Sequence, residues 1–229
     1  LIRPTPAQVV FIHLPKTGGF ALHAALARAL PPDRVLRIGD EVEHAAFLAM
    51  APDQVAGQAL VSGHVTVNEA LERARPDARF VTLLRDPVAR LLSAFNYMAT
   101  WRDHPLHAEF RDRGFAEFIR ESAQALPAEA CRQLTGAGTA KEAIPILEGC
   151  YALVGTTARV DDVSALLHRW LGVAPGRVER ENVTAGQGRI NLDSSTCELL
   201  LEVTREDRAL FDHVALRHGG LMKHPGVPG

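Results

Sequence analysis

The chain lacks any long hydrophobic run. Nothing in its 229 residues approaches about eighteen consecutive apolar positions, so no membrane-spanning helix is expected. Cysteine is scarce: Cys131, Cys150 and Cys197 are odd in number, far apart and in no C-x-x-C pair. That argues against a disulfide framework or a zinc site and suits a reducing compartment. No group of carboxylates or histidines has metal-ligand spacing, so a metal-free chemistry is expected. A net charge of −2 gives no bulk attraction to nucleic acid, which is excluded as an expected partner. Any anion site must therefore be local. The N-terminus lacks the basic-then-apolar layout of a signal peptide. A cytoplasmic location is the expectation, one that an excised lumenal domain would not meet. There is no internal repeat and no low-complexity linker. Lysine is scarce too: of 25 lysines and arginines only Lys16, Lys141 and Lys223 are lysine.

What is present is an apolar fraction of 47%, enough for a sizeable core, and residues 1–229 are read as a single domain. Apolar, β-branched runs alternate with helical patterns. Strands are expected at Val9–Leu14, Ala59–Ser62, Arg79–Leu84 and Tyr151–Gly155. Helices are expected over Phe20–Leu30, Val67–Arg75, from Pro87 to Thr100, over Val160–Leu171 and over Asp193–His218. Residues 104–149 read as helical and loop-rich, with Phe110, Phe115, Phe118 and Ile119 as an apolar stripe. The Gly- and Pro-rich tail 219–229 reads as loose. Alternating strand and helix predicts an α/β fold, a central parallel sheet flanked by helices.

In such a sheet, ligands bind at the carboxyl ends of the strands. Three strands deliver useful residues there. The first ends in Pro15-Lys16-Thr17-Gly18-Gly19 and opens a helix. A glycine turn at a helix N-terminus converges backbone N–H groups and the positive end of the helix dipole, which favours a phosphate or sulfate, and Lys16 adds a mobile charge. The second strand leads to His64 on a glycine-flanked loop. The third leads to Arg85, with Ser93 two helical turns later. An arginine there can make a two-point contact with a phosphate, and Ser93 can add a hydroxyl donor. Each has a plainer reading: a solvated turn lysine, a loop histidine without a role, an Arg85–Asp86 surface pair, a helix-surface serine. Together they describe two anion subsites and a candidate base.

These residues resemble the PAPS-dependent sulfotransferases (PAPS is 3′-phosphoadenosine-5′-phosphosulfate), nearest the branch of carbohydrate, heparan- and chondroitin-type enzymes and their bacterial relatives. FIHLPKTGG resembles the family's 5′-phosphosulfate loop, LLRDPVARLLSAF its 3′-phosphate motif and SGHV the segment carrying its base. RQLTG (132–136), YALVGTTARVDDVSALLHRWLG (151–172) and the Asn-x-Thr at Asn182–Thr184 resemble further family segments, so the likeness covers most of residues 8–215. It implies a P-loop-like sulfotransferase architecture with PAPS as donor, PAP as product and no metal. It implies donor contacts from Pro15, Lys16, Thr17, Gly18, Gly19, Phe20, Ala21, Arg85 and Ser93, and catalytic roles for Lys16 and His64. His64 would be general base toward an acceptor hydroxyl, expected to belong to a carbohydrate or glycoconjugate. The sequence departs from the family at Phe20 and Ala21, where hydroxyl residues usually stand. Each lost hydrogen bond to a charged group removes about 1.5–3 kcal/mol. Phe20 is expected either to pack beneath the loop or to line the acceptor pocket. His104, His107 and Arg102, Arg111 and Arg113 are candidates for a cationic acceptor cleft.

Two other classes stay open. A P-loop nucleotide phosphotransferase would use Lys16-Thr17 and take Asp86 as a metal ligand, although Pro15 replaces the glycine before the lysine and the upstream glycine is missing. A non-catalytic PAP-, nucleotide- or glycan-binding module would explain Phe20 and Ala21.

Overall fold

The computed structural model describes residues 7–179 and 192–227. In chain order the elements are β1 (Val9–Ile12), α1 (Gly19–Arg28), β2 (Val35–Ile38), α2 (Glu41–Ala49), α3 (Pro52–Ala56), β3 (Leu60–Gly63), α4 (Val67–Leu71), β4 (Arg79–Leu84), α5 (Pro87–Thr100), α6 (His107–Phe110), α7 (Phe115–Ser122), α8 (Glu129–Thr135), α9 (Ala140–Cys150), β5 (Tyr151–Thr156), α10 (Val160–Leu171), α11 (Ser194–Asp212) and β6 (Leu221–Lys223). Among the described residues the sheet has six strands in the order β2-β3-β1-β4-β5-β6, parallel throughout except for β6, which runs antiparallel to β5.

β1 is buried along its whole length, and its side chains alternate between two cores. Val10 and Ile12 join Leu134, Leu147, Tyr151 and Leu210 on one face of the sheet. Val9 and Phe11 join Leu22 and Leu26 of α1 and Val163 and Leu167 of α10 on the other. A third cluster gathers the expected stripe: Phe110, Phe115, Phe118 and Ile119 pack with Leu91 and Phe95 of α5 and Leu200 and Val203 of α11.

The strands expected from sequence form within two residues of their anticipated ends, and Pro87–Thr100 and Val160–Leu171 are helical over those spans. The local pattern over residues 31–58 predicts no element, yet the segment supplies edge strand β2, half-exposed except for Ile38, and the short helices α2 and α3. Within the stretch expected to be loose, Leu221–Lys223 pair with Leu153–Gly155 as an edge strand. The last long helix stops at Asp212 and continues as a π-helical turn over His213–Arg217. Asn182–Thr184 lies outside the described residues. Among the described residues no helix is long and apolar enough to cross a membrane.

Candidate active site

The central place of β1 decides the site. Its neighbours are β3 on one side and β4 on the other, so the loop after β1 lies between the loop that carries His64 and the one that carries Arg85. Two hydrogen bonds tie the three together. Arg85 Nη1 donates to the Lys16 carbonyl at 3.0 Å, and His64 Nδ1 lies 2.9 Å from the His13 carbonyl.

The loop is shaped for open N–H groups. Lys16 has φ 66 and Gly18 has φ 81, two left-handed residues flanking Thr17. Gly18 is the N-cap of α1 and offers no side-chain cap. The N–H groups of Gly19, Phe20 and Ala21 have no acceptor among the described residues. They are orphan donors at the positive end of a helix. Thr17 is fully buried and donates its hydroxyl to the Leu14 carbonyl at 2.9 Å. Its side chain thus holds the loop, and only its backbone is left to face a ligand. Gly19 is required by a neighbour that sequence reading passed over: a Cβ there would lie 2.1 Å from the ring of His13.

His13 and His64 stack with centroids 4.6 Å apart and 25° between planes. Burial, reinforced by His64, His23 and Lys16, lowers the pKa of His13 from 6.5 to about 3. Burial also lowers that of His64, with its hydrogen bond to His13 opposing and Arg37 adding to the shift. A carbonyl oxygen only accepts, so His64 Nδ1 must carry the proton and Nε2 keeps its lone pair. His64 is fixed from behind as well: its N–H donates to the Ile38 carbonyl at 2.8 Å. A Cβ at Gly63 would meet that carbonyl at 2.0 Å, so β2 can approach this closely only at a glycine.

Burial, and then the charge of Arg85, lowers the pKa of Lys16. Its Nζ sits 3.7 Å from the centroid of the Tyr97 ring, a cation–π contact. Tyr97 lies one turn beyond Ser93 on α5, so Ser93 shares the face turned toward the Lys16 loop. Ser93 is half-buried and its hydroxyl has no partner among the described residues. Trp101 stacks on Tyr97 at 5.0 Å and is 43% exposed, and His104 packs edge-on against both. Asp86 has a structural role: Oδ1 caps α5 by accepting from Ala89 N at 2.9 Å, and Oδ2 pairs with Arg208.

A cleft of about 350 Å³ opens beside the loop, lined by Pro15, His64, Thr66, Glu129, Arg132 and Gln133 among others. Two expectations change here. Phe20 does not pack beneath the loop: it is 52% exposed and is not part of this cleft wall, while Ala21 packs against the core on the α1 side. Two of the three arginines expected to make a cationic cleft are paired with carboxylates: Arg111 with Asp112, and Arg113 with Glu109, Glu117 and Glu121; Arg102 is exposed, and none of the three lines this cleft. The groups that sequence reading missed are His13, Arg37, Tyr97 and Gln133. Of these, His13 had a signal, its place between β1 and the loop.

No family model matches the chain, and no curated protein matches it. Among solved structures it is similar to a sulfotransferase from Alicyclobacillus acidocaldarius, with 16% identity and a TM-score of 0.49 over 93% of this chain and 96% of that one. It is also similar to mouse sulfotransferase SULT7A1 complexed with PAP, with 13% identity and a TM-score of 0.44 over 87% of this chain. The chain spans 64% of the length of the mouse protein. At these identities neither structure lends a residue role to this chain.

Proposed function

We propose that the chain is a PAPS-dependent sulfotransferase acting on an acceptor hydroxyl. One observation carries the reading: the β1 loop, with its open N–H groups and Lys16, lies between Arg85 on one side and His64 on the other. The donor would supply the sulfuryl group, its phosphosulfate against the N–H groups of residues 18–21 and its 3′-phosphate against Arg85 and the unpartnered hydroxyl of Ser93. His64 Nε2, the ring nitrogen with the free lone pair, accepts the acceptor hydroxyl's proton, an effect worth about 10²–10⁴ in rate. Lys16 stabilises charge that develops on the departing phosphate oxygen. No metal ligand is required of these residues.

For the acceptor we infer a carbohydrate or glycoconjugate hydroxyl. The cleft beside His64 has hydrogen-bonding side chains in its wall, among them Thr66, Glu69, Glu129, Arg132 and Gln133, and groups of this kind can bind a ligand's hydroxyls. The first experiment is thermal unfolding with PAP and with ADP, in wild type and Arg85→Ala. A ligand at about a hundred times its Kd stabilises by about 2.7 kcal/mol. The expected result is a shift with PAP that exceeds the shift with ADP and is lost in Arg85→Ala. Equal shifts with both nucleotides would remove the 3′-phosphate assignment. His64→Ala is expected to keep the PAP shift and lose turnover by about a hundredfold or more; unchanged turnover would remove His64 from the base role.

A further inference from the structure

The end of α11 carries a cluster that shares no residue with the loop site. After Asp212 the backbone winds as a π-helical turn, His213–Arg217. In an α-helix, residues five apart point about 140° away from each other. The wider i→i+5 winding returns them to one face, and such turns recur at functional sites. The pair aligned here is His213 and His218, with ring centroids 5.1 Å apart. From the last turn of α9, Glu148 places Oε1 2.9 Å from His213 Nε2. One ligand atom from each of the three side chains lies within 4.8 Å of the other two. A cavity of about 430 Å³ adjoins them, with Glu148, Asp212, His213 and Arg217 in its wall.

We propose that Glu148, His213 and His218 form a binding site for a divalent transition-metal ion of the zinc class. Two imidazoles and one carboxylate are a donor set that zinc accepts and that magnesium and calcium, which favour oxygen, do not. A tetrahedral zinc with ligands at about 2.0–2.2 Å holds them about 3.4 Å apart. His213 is the anchored member, its side chain 8% exposed, while Glu148 is 47% exposed and His218 is exposed, so both can swing to close the set. The His213–Glu148 hydrogen bond marks where two lone pairs converge on a proton, and an ion takes that place. A plain His–Glu pair would account for the 2.9 Å contact but leaves His218 and the π-turn unused. The ion would tie α9 to the end of α11 and so act on stability.

The test uses the full chain stripped of metal with a chelator. Zn²⁺ is titrated in competition with a chromophoric chelator, in wild type, Glu148→Gln, His218→Ala and a His224→Ala control. The expected result is one Zn²⁺ per wild-type chain with a rise in Tm, affinity lowered about tenfold or more in Glu148→Gln and His218→Ala, and no change in the control. Both informative variants alter exposed side chains, so the fold is not at stake. No Zn²⁺ binding in wild type would overturn the proposal, as would equal binding in wild type and both variants.

Discussion

Lys16 is one of only two non-glycine residues with positive φ among those described, and it sits in the turn that would face the donor. For an L-residue that conformation costs about 1–2 kcal/mol, and such strain persists where surrounding contacts enforce it. Here the enforcing contacts are the Arg85 hydrogen bond to its carbonyl and the Tyr97 ring beneath its ammonium. The strain and the charge can be separated by substitution. Lys16→Ala removes the ammonium and keeps the strain; Lys16→Gly removes both. Both variants are expected to lose turnover, and Lys16→Gly to be more stable than Lys16→Ala by about 1 kcal/mol in urea unfolding. Equal stabilities would mean that the turn stores no strain at this residue. His64 carries a second residue-scale expectation. Its pKa lies below the usual 6.5, so its neutral form persists further into acid. The acid limb of kcat/KM is therefore expected below about pH 6.5, and a limb centred above that value would point to another group.

At the scale of elements, α5 is the piece that must be held still, because it carries Ser93 and Tyr97. Its inner face is clamped by charge. Arg90, nearly fully buried, lies 2.7 Å from Glu129 of α8 and 3.7 Å from Asp207 of α11. Asp207 in turn accepts the N–H groups of Ala130 and Cys131 at the start of α8. Burial raises the pKa of Asp207 against these hydrogen bonds and Arg90, so its charge depends on the clamp being complete. Breaking a buried pair by removing one partner costs about 3–5 kcal/mol. Arg90→Ala is expected to lose that much in urea unfolding and to loosen PAP binding with it; a loss under about 1 kcal/mol would show that the clamp is solvated. None of this clamp was legible in the sequence, where Arg90, Glu129 and Asp207 are unremarked charges far apart. The elements themselves were more readable. β4, α5 and α10 announce themselves by β-branched runs, a proline at the first helical turn and amphipathic spacing. β2 and β6 do not, because four- and three-residue edge strands carry too little apolar pattern to stand out from loop.

For the whole molecule, the three motifs at residues 15–21, 64 and 85–93 were legible one by one, and the parallel sheet was legible from the alternation of strand and helix. Their adjacency follows from strand order, which puts β1 between β3 and β4 and which no local pattern encodes. The same packing brings His13, His23 and His64 to the carboxyl edge of the sheet, where burial lowers the pKa of all three, His13 to about 3. That makes folding itself pH-dependent. Each ring binds its proton less readily in the folded state than in the unfolded chain, where it titrates near pH 6.5, so unfolding takes up protons below that pH. Stability contributed by the neutral rings is complete above about pH 6.5 and falls as pH falls toward the folded pKa, by up to about 1.4 kcal/mol per pH unit for each ring. Unfolding free energies measured in urea between about pH 5 and 7 should therefore rise with pH, and His13→Gln should flatten the slope by about one proton. An unchanged slope in that variant would mean that His13 titrates normally in the folded chain, and the ring stacked on the candidate base would then be open to water.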